Sequence, residues 1–286
     1  MAIKGYLSYT NHEGSVLRLN NRARFFTRSF SGAFYIPGEP IMTPVPSKPM
    51  ASSYGGYNTT DRQVIIVVAV SDLGDGGVTA ALRALYAHFW PDQRDSERGT
   101  ITYTTEGNIT RELTVTPPDA REPGLGDFWH AAPGARGTVD VTLRFWAEDP
   151  GWSDITIQTG LGAIVGVGAI PVLCTSNGDM DAWCTINVDP VATQTTNLSI
   201  TDSHGNTLSF TGVITPPRDL TLVLNPARGV LSMKLDDGTD WKGLRNTGSK
   251  IPRVAPGANN ITFTGGAAGD DGGITVTWKD KFSGHG

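Results

Sequence analysis

Apolar and polar residues alternate in short runs from Ile3 to Phe34, the period-two pattern of strands joined by turns. The alternation stops between Tyr35 and Tyr57, where Pro37, Pro40, Pro44, Pro46 and Pro49 follow one another closely. Proline lacks the amide donor and fixes φ, so this density fits neither a helix interior nor a central strand. The pattern predicts an extended arm over residues 35–57, long for a connection and therefore a candidate contact element. Arg62–Val70 is β-branched and apolar without interruption from Val64, as expected of a strand covered on both faces. After a break at Asp72–Gly77, Val78, Leu82, Leu85 and Phe89 recur at helical spacing and predict one amphipathic helix over residues 78–90. Pro91 is the predicted stop.

Thr100–Thr104 and Ile109–Val115 read as a hairpin, because Glu106, Gly107 and Asn108 between them suit a tight turn. Pro117, Pro118 and Pro123 mark a second loop. Thr138–Ala147 alternates strictly, with Val139, Val141, Leu143 and Phe145 on one face and Asp140, Thr142, Arg144 and Trp146 on the other. The pattern breaks at Glu148–Trp152, which places a domain boundary there and gives domains 1–150 and 151–286. Beyond it, Thr196–Thr201, Thr207–Ile214, Leu220–Leu224, Val230–Leu235, Asn259–Thr264 and Gly273–Trp278 read as short strands separated by turn residues. The expected fold class is mainly β: an N-terminal β-rich domain with one α-helix, then a sandwich or jelly roll.

Composition narrows the function. A hydrophobic fraction of 38% and a charged fraction of 18% over 286 residues suit two folded domains and exclude wholesale disorder. A net charge of −5 offers no general attraction to phosphate backbones, so no nucleic-acid partner is expected. Arg18, Arg22, Arg24 and Arg28, beside Phe25, Phe26 and Phe30, reverse that sign locally. They form either a basic contact surface for an acidic protein or a solvated strand face. Met1–Ser8 carries no secretory signal, and no run approaches the ~18 apolar residues of a membrane span, so synthesis and folding in the cytosol are expected. Cys174 and Cys184 flank a turn-like stretch and would lie near each other if the flanking strands pair. Without export, reduced thiols are the expectation.

The search for chemistry assigns no catalytic, cofactor-binding or metal-ligating residue. Gly160–Gly166 approximates a dinucleotide fingerprint but has Val165 at the third glycine position, and no helical pattern follows. It reads instead as a flexible or tightly packed β segment. The pairs Glu148/Asp149, Asp236/Asp237 and Asp270/Asp271 are sequence neighbours, which point apart on strands and are solvated in turns. Asp179 with Asp181, and Asp270 with Asp271, have calcium-ligand chemistry but match no complete loop. His12, His88, His130, His204 and His285 are scattered without partners at a motif spacing. Trp183, Trp241 and Trp278 suit either sugar stacking or core packing.

The order of elements adds a resemblance. A β-rich start, a buried strand, one helix, a hairpin and a strand closing on Phe145-Trp146-Ala147-Glu148-Asp149-Pro150-Gly151-Trp152 resembles the N-terminal domain of siphophage distal tail proteins. Ile200–Asn206, Pro256–Phe263 and Ile274–Trp278 followed by Lys279-Asp280-Lys281-Phe282 are similar to that family's galectin-like C-terminal domain. The resemblance implies a non-enzymatic virion component at the distal end of the tail, without cofactor. It implies a hexameric ring that joins the tail tube to the tail hub and, through them, to receptor-binding proteins. The glycine-rich run 160–168 departs from the family, and no sugar-binding residues carry over to the second domain. A lectin-like virion protein that contacts host glycans through residues 152–286 is the alternative.

Overall fold

The computed structural model describes residues 5–20, 24–31, 38–44, 52–59, 62–71, 77–118, 138–147, 149–225 and 230–284. Arg22, residues 35–37 and 45–51 of the arm, and the second loop from 119 onward lie outside them. The chain forms two compact units, Met1–Trp152 with Ser283–Gly286, and Ser153–Phe282. The closing residues therefore group with the first unit rather than the second, and there the Ser283 and Gly284 carbonyls accept hydrogen bonds from Arg62 and Arg111, each at 2.5 Å.

The first unit contains β1 (Tyr6–Thr10), β2 (Val16–Arg18), β3 (Phe25–Ser31), β4 (Gly38–Pro44), β5 (Ser52–Thr59), β6 (Arg62–Ser71), α1 (Gly77–Asp95), β7 (Gly99–Thr104), β8 (Thr110–Val115) and β9 (Thr138–Ala147). One antiparallel sheet has the order β3-β6-β9, and a second runs β8-β7-β1-β2. The alternation along β9 is realised in three dimensions. Val141, Leu143 and Phe145 are fully buried and sit opposite Val68, Ile66 and Val64 of β6, also fully buried. α1 packs on β6 and buries Val78, Leu82, Leu85 and Phe89, the predicted stripe. Fully burying one such side chain contributes roughly 1.5–3 kcal/mol. β6 is less enclosed than its composition suggested, because Ile65 and Val67 on its other face are only half-buried. Aromatic rings join the layers: Tyr9 of β1 meets Phe89 of α1 at 4.9 Å and Phe145 of β9 at 5.5 Å between centroids.

Two predicted elements differ. Much of the proline-rich arm is paired, with β4 and β5 forming an antiparallel ribbon whose register shifts between Pro40 and Met42. A two-stranded ribbon has only edges, so prolines that would disrupt a central strand are tolerated there. Pro91 does not stop α1, which continues to Asp95. A proline inside a helix removes one backbone bond and costs about 3 kcal/mol. Tertiary contacts offset that cost: Asp92 is buried against β1, and Gln93 donates to the Pro118 carbonyl at 2.6 Å. The helix closes when Ser96 takes a φ of 56° and the Glu97 amide reaches back to the Asp92 carbonyl at 3.0 Å.

The second unit is a two-sheet sandwich built from β10 (Trp152–Val165), β11 (Ile170–Ser176), β12 (Cys184–Asp189), β13 (Thr195–Thr196), β14 (Ser199–Thr201), β15 (Thr207–Ser209), β16 (Val213–Ile214), β17 (Leu220–Asn225), β18 (Val230–Leu235), β19 (Gly257–Thr264) and β20 (Asp271–Phe282). One sheet runs β18-β17-β12-β20-β10, and the other runs β11-β19-β14-β15. Their facing residues, among them Ile186, Leu222 and Val276 against Val172, Ile200 and Phe263, make one core. The fold is mainly β with a single α-helix among the described residues.

Candidate functional site

The most developed polar site in the first unit surrounds the end of α1. Asp92 is fully buried and accepts from the Tyr9 hydroxyl at 2.5 Å, from the His12 amide at 2.7 Å and from the His12 ring at 2.7 Å. The other ring nitrogen of His12 lies 3.3 Å from Asp95. A neutral imidazole can donate from only one nitrogen, so two carboxylate partners call for the imidazolium. The hydrogen bond to Asp92 accordingly raises the His12 pKa, with further help from Asp92, Asp95 and Glu13. Burial and the bond to Asp92 push the Tyr9 phenol up, so it stays a neutral donor. His88 sits nearby and half-buried, its pKa lowered by burial, and its ring donates to the Tyr9 carbonyl at 3.3 Å.

This site is a latch rather than a reaction centre. Both nitrogens of His12 are engaged by carboxylates, which leaves no base to activate a nucleophile. His12, Glu13 and Asp95 are the one group of histidine and carboxylates close enough to share a metal ion among the described residues. Arg94 already neutralises those carboxylates, at 2.6 Å from Asp95 and 3.5 Å from Glu13. The latch fastens the β1–β2 turn to the helix end. A raised histidine pKa adds stability that is full below about 6.5 and is lost as pH rises through the folded-state value. Buried neutral His88 acts with the opposite sign, being disfavoured as pH falls. Hydrogen exchange of the turn at Asn11–Ser15 is expected to accelerate as pH rises above about 6.5 and through the raised folded-state value of His12, beyond the intrinsic base-catalysed rise. His12→Gln should abolish that excess, and an excess that survives the substitution would refute the latch.

In the second unit the singled-out residues separate. Trp241 and Trp278 are core side chains, 3% and 5% exposed. Trp183 is half-buried, and the Arg253 guanidinium covers its ring at 4.4 Å. Arg253 and His204 both approach Asp181, at 3.6 and 3.3 Å. Asp270 and Asp271 fasten the turn between β19 and β20 to the segment around β13. Asp270 accepts from Thr196, Gly266 and Ala267, and Asp271 accepts from the Ala192 and Thr193 amides. Of the basic stretch, Arg22 lies outside the described residues. Arg18 of β2 stacks over Tyr6, Arg28 of β3 pairs with Asp140 at 2.6 Å, and Phe25 is buried.

Cys174 and Cys184 are both buried free thiols in facing sheets. Burial pushes them up to about 11 and about 12, and each Cys184 ionisation is further opposed by Cys174. The thiolate is the reactive species, so neither should label at pH 8 within a time that labels both in denaturant. Stoichiometric labelling of the folded chain would show the core to be more open than this.

The latch was not legible in the sequence, because Tyr9 and Asp92 are 83 positions apart. The one local hint is a carboxylate directly after Pro91, where an ordinary helix would already have ended.

Comparison with known proteins adds the fold relationship. No protein-family model matches the chain, and no curated protein matches it. Among solved structures, the chain is similar to the Dit protein (gp 19.1) of phage SPP1, described as a paradigm of the hub adsorption apparatus in phages that infect Gram-positive hosts. The TM-score is 0.64 at 16% identity, and the match covers 96% of this chain and 99% of that one. From end to end, then, this chain has the fold of that phage hub protein.

Proposed function

We propose that this chain is a structural subunit of a phage tail tip, forming a hexameric ring between the tail tube and the tail hub. The observation that carries the reading is the fold likeness, which extends over both units in their order along the chain rather than over one common β module. The site chemistry supports it. The carboxylates of Asp92 and Asp270 take their hydrogen bonds from within the chain and join structural elements, as suits a component whose work is subunit contact. Ring closure needs a heterologous interface repeated by rotation. The ribbon β4–β5 within the arm is the element we assign to contact a neighbour or partner, on the ground that among the described residues its strands pair with each other and with no further strand. A sugar-binding reading would need exposed aromatic faces, and two of its three tryptophans are in the core while the third carries Arg253.

Gold-labelled antibody against the chain, viewed on intact virions, should decorate the end of the tail distal to the capsid. Decoration elsewhere, or none on virions that contain the chain by mass, would overturn the reading. Assembled subunits of 30.4 kDa should give a particle of about 182 kDa as a hexamer. Deleting residues 38–59 should abolish this particle, and rings recovered without them would remove the arm from the contact.

A further inference from the structure

One face of β10 departs from the pattern of its sheet. The inward positions Gly160, Gly162 and Ile164 pack on the sandwich, and the glycines are needed for the approach. A side chain at Gly160 would meet the Leu173 carbonyl at 2.8 Å. The outward positions are Ile155, Ile157, Thr159, Leu161, Ala163 and Val165, all exposed. Ile157 is 62% exposed, Leu161 73% and Val165 67%. The half-buried outward positions of neighbouring strands in the same sheet are polar, with Thr275, Thr277 and Lys279 on β20 and Thr185 and Asn187 on β12. At about 3.3 Å per residue the apolar lane is roughly 33 Å long. Its four large aliphatic side chains present on the order of 500 Å² to water, as much as the largest patch on a typical monomer.

We propose that this lane is a self-association surface that seats a second copy of the chain. The proposal goes beyond the tail-tip reading: lane against lane is an isologous, two-fold contact, distinct from the heterologous contact that would close a ring. Three features favour a second copy. None of the six outward positions carries a charge, so two such lanes meet without like-charge repulsion, the usual obstacle to self-complementary contact. The lane is long, and needs an occupant with an equally extended apolar face, which a second β10 supplies. Two lanes brought together remove on the order of 1,000 Å², the floor for a specific contact and the size of one that dissociates on dilution, whereas one lane against a small occupant falls short of it.

The test uses the purified full chain, with mass measured by light scattering from about 1 to 200 μM, because association is set by concentration. Species above 30.4 kDa that dissociate on dilution are expected. Leu161→Lys with Val165→Lys should move the association midpoint at least tenfold higher. Ile157→Thr with Val165→Thr, which keeps β-branching and so protects the strand, should move it in the same direction by less. Val191→Lys, which replaces another exposed aliphatic residue outside β10, should leave it unchanged. A wild-type chain monomeric across the range, or lane variants that associate like wild type, would overturn the proposal. Tail-tip decoration combined with lane-independent association would sink this inference alone. Lane-dependent association by a chain absent from the tail tip would sink the hub reading alone.

Discussion

Asp92→Ala is expected to destabilise the first unit by about 3 kcal/mol, because it removes the shared acceptor of one buried hydroxyl and two donors of His12. The Tyr9 hydroxyl and the His12 amide would lose their partner, and leaving a buried donor unsatisfied costs about 1–3 kcal/mol. The last turn of α1 loses its anchor as well, and Pro91 already deprives that turn of a backbone bond. Tyr9→Phe should cost about 1 kcal/mol alone and almost nothing in the Asp92→Ala background, since the hydroxyl then has no partner to lose. Hydrogen exchange read by mass spectrometry separates the two units. Peptides covering residues 6–18 and 77–95 should lose on the order of a hundredfold protection, while residues 199–224 keep theirs. A loss below about 1 kcal/mol, or one spread equally over both units, would contradict the assignment of Asp92 as the anchor.

The helix shows where sequence pattern succeeds and where it stops. Val78, Leu82, Leu85 and Phe89 announce the buried face because periodicity is a local property, and all four are buried. The extension through Pro91 to Asp95 was invisible, because a proline that breaks an isolated helix can be outweighed by partners distant in sequence. β9 and the hairpin β7–β8 were legible for the same local reason, down to the left-handed Asn108 with its φ of 60°. The arm was legible as an irregular element but not as a ribbon, since proline excludes central strands without excluding edges. Histidine spacing carried no information about the latch. The imidazole of His12 acquires its role from Asp92 and Asp95, which only the packing of α1 on the first sheet brings to it. The β10 lane was written in the sequence as apolar residues between glycines. Pattern alone could not say that the glycines point inward and the aliphatic residues outward, because a shift of one position exchanges the two faces.

Asp270→Ala should have an effect of similar size on the second unit, about 3 kcal/mol, since one oxygen of this carboxylate accepts four hydrogen bonds. The donors are the Thr196 amide and hydroxyl at 2.9 and 2.7 Å and the Gly266 and Ala267 amides at 2.8 and 3.0 Å. They tie the turn between β19 and β20 to β13. Burial alone would raise the Asp270 carboxyl, but the bonds from Thr196, Ala267 and Gly266 outweigh it and hold it below the usual carboxylate range. A depressed carboxyl contributes stability that is full above the unfolded value of about 3.9 and is lost as pH falls through the folded one. Acid titration of unfolding should therefore show a component below pH 4 that Asp270→Ala removes. Thr196→Val should cost about 1 kcal/mol in the native background and little once Asp270 is alanine, because its hydroxyl then has no acceptor. Exchange protection should fall across residues 194–197 and 264–271 while the β1–β2 turn is unaffected. Strict additivity of the two substitutions would mean that the hydroxyl and the carboxylate do not stabilise the loop together, and the bonded geometry around Asp270 would then not be what holds this end of the sandwich closed.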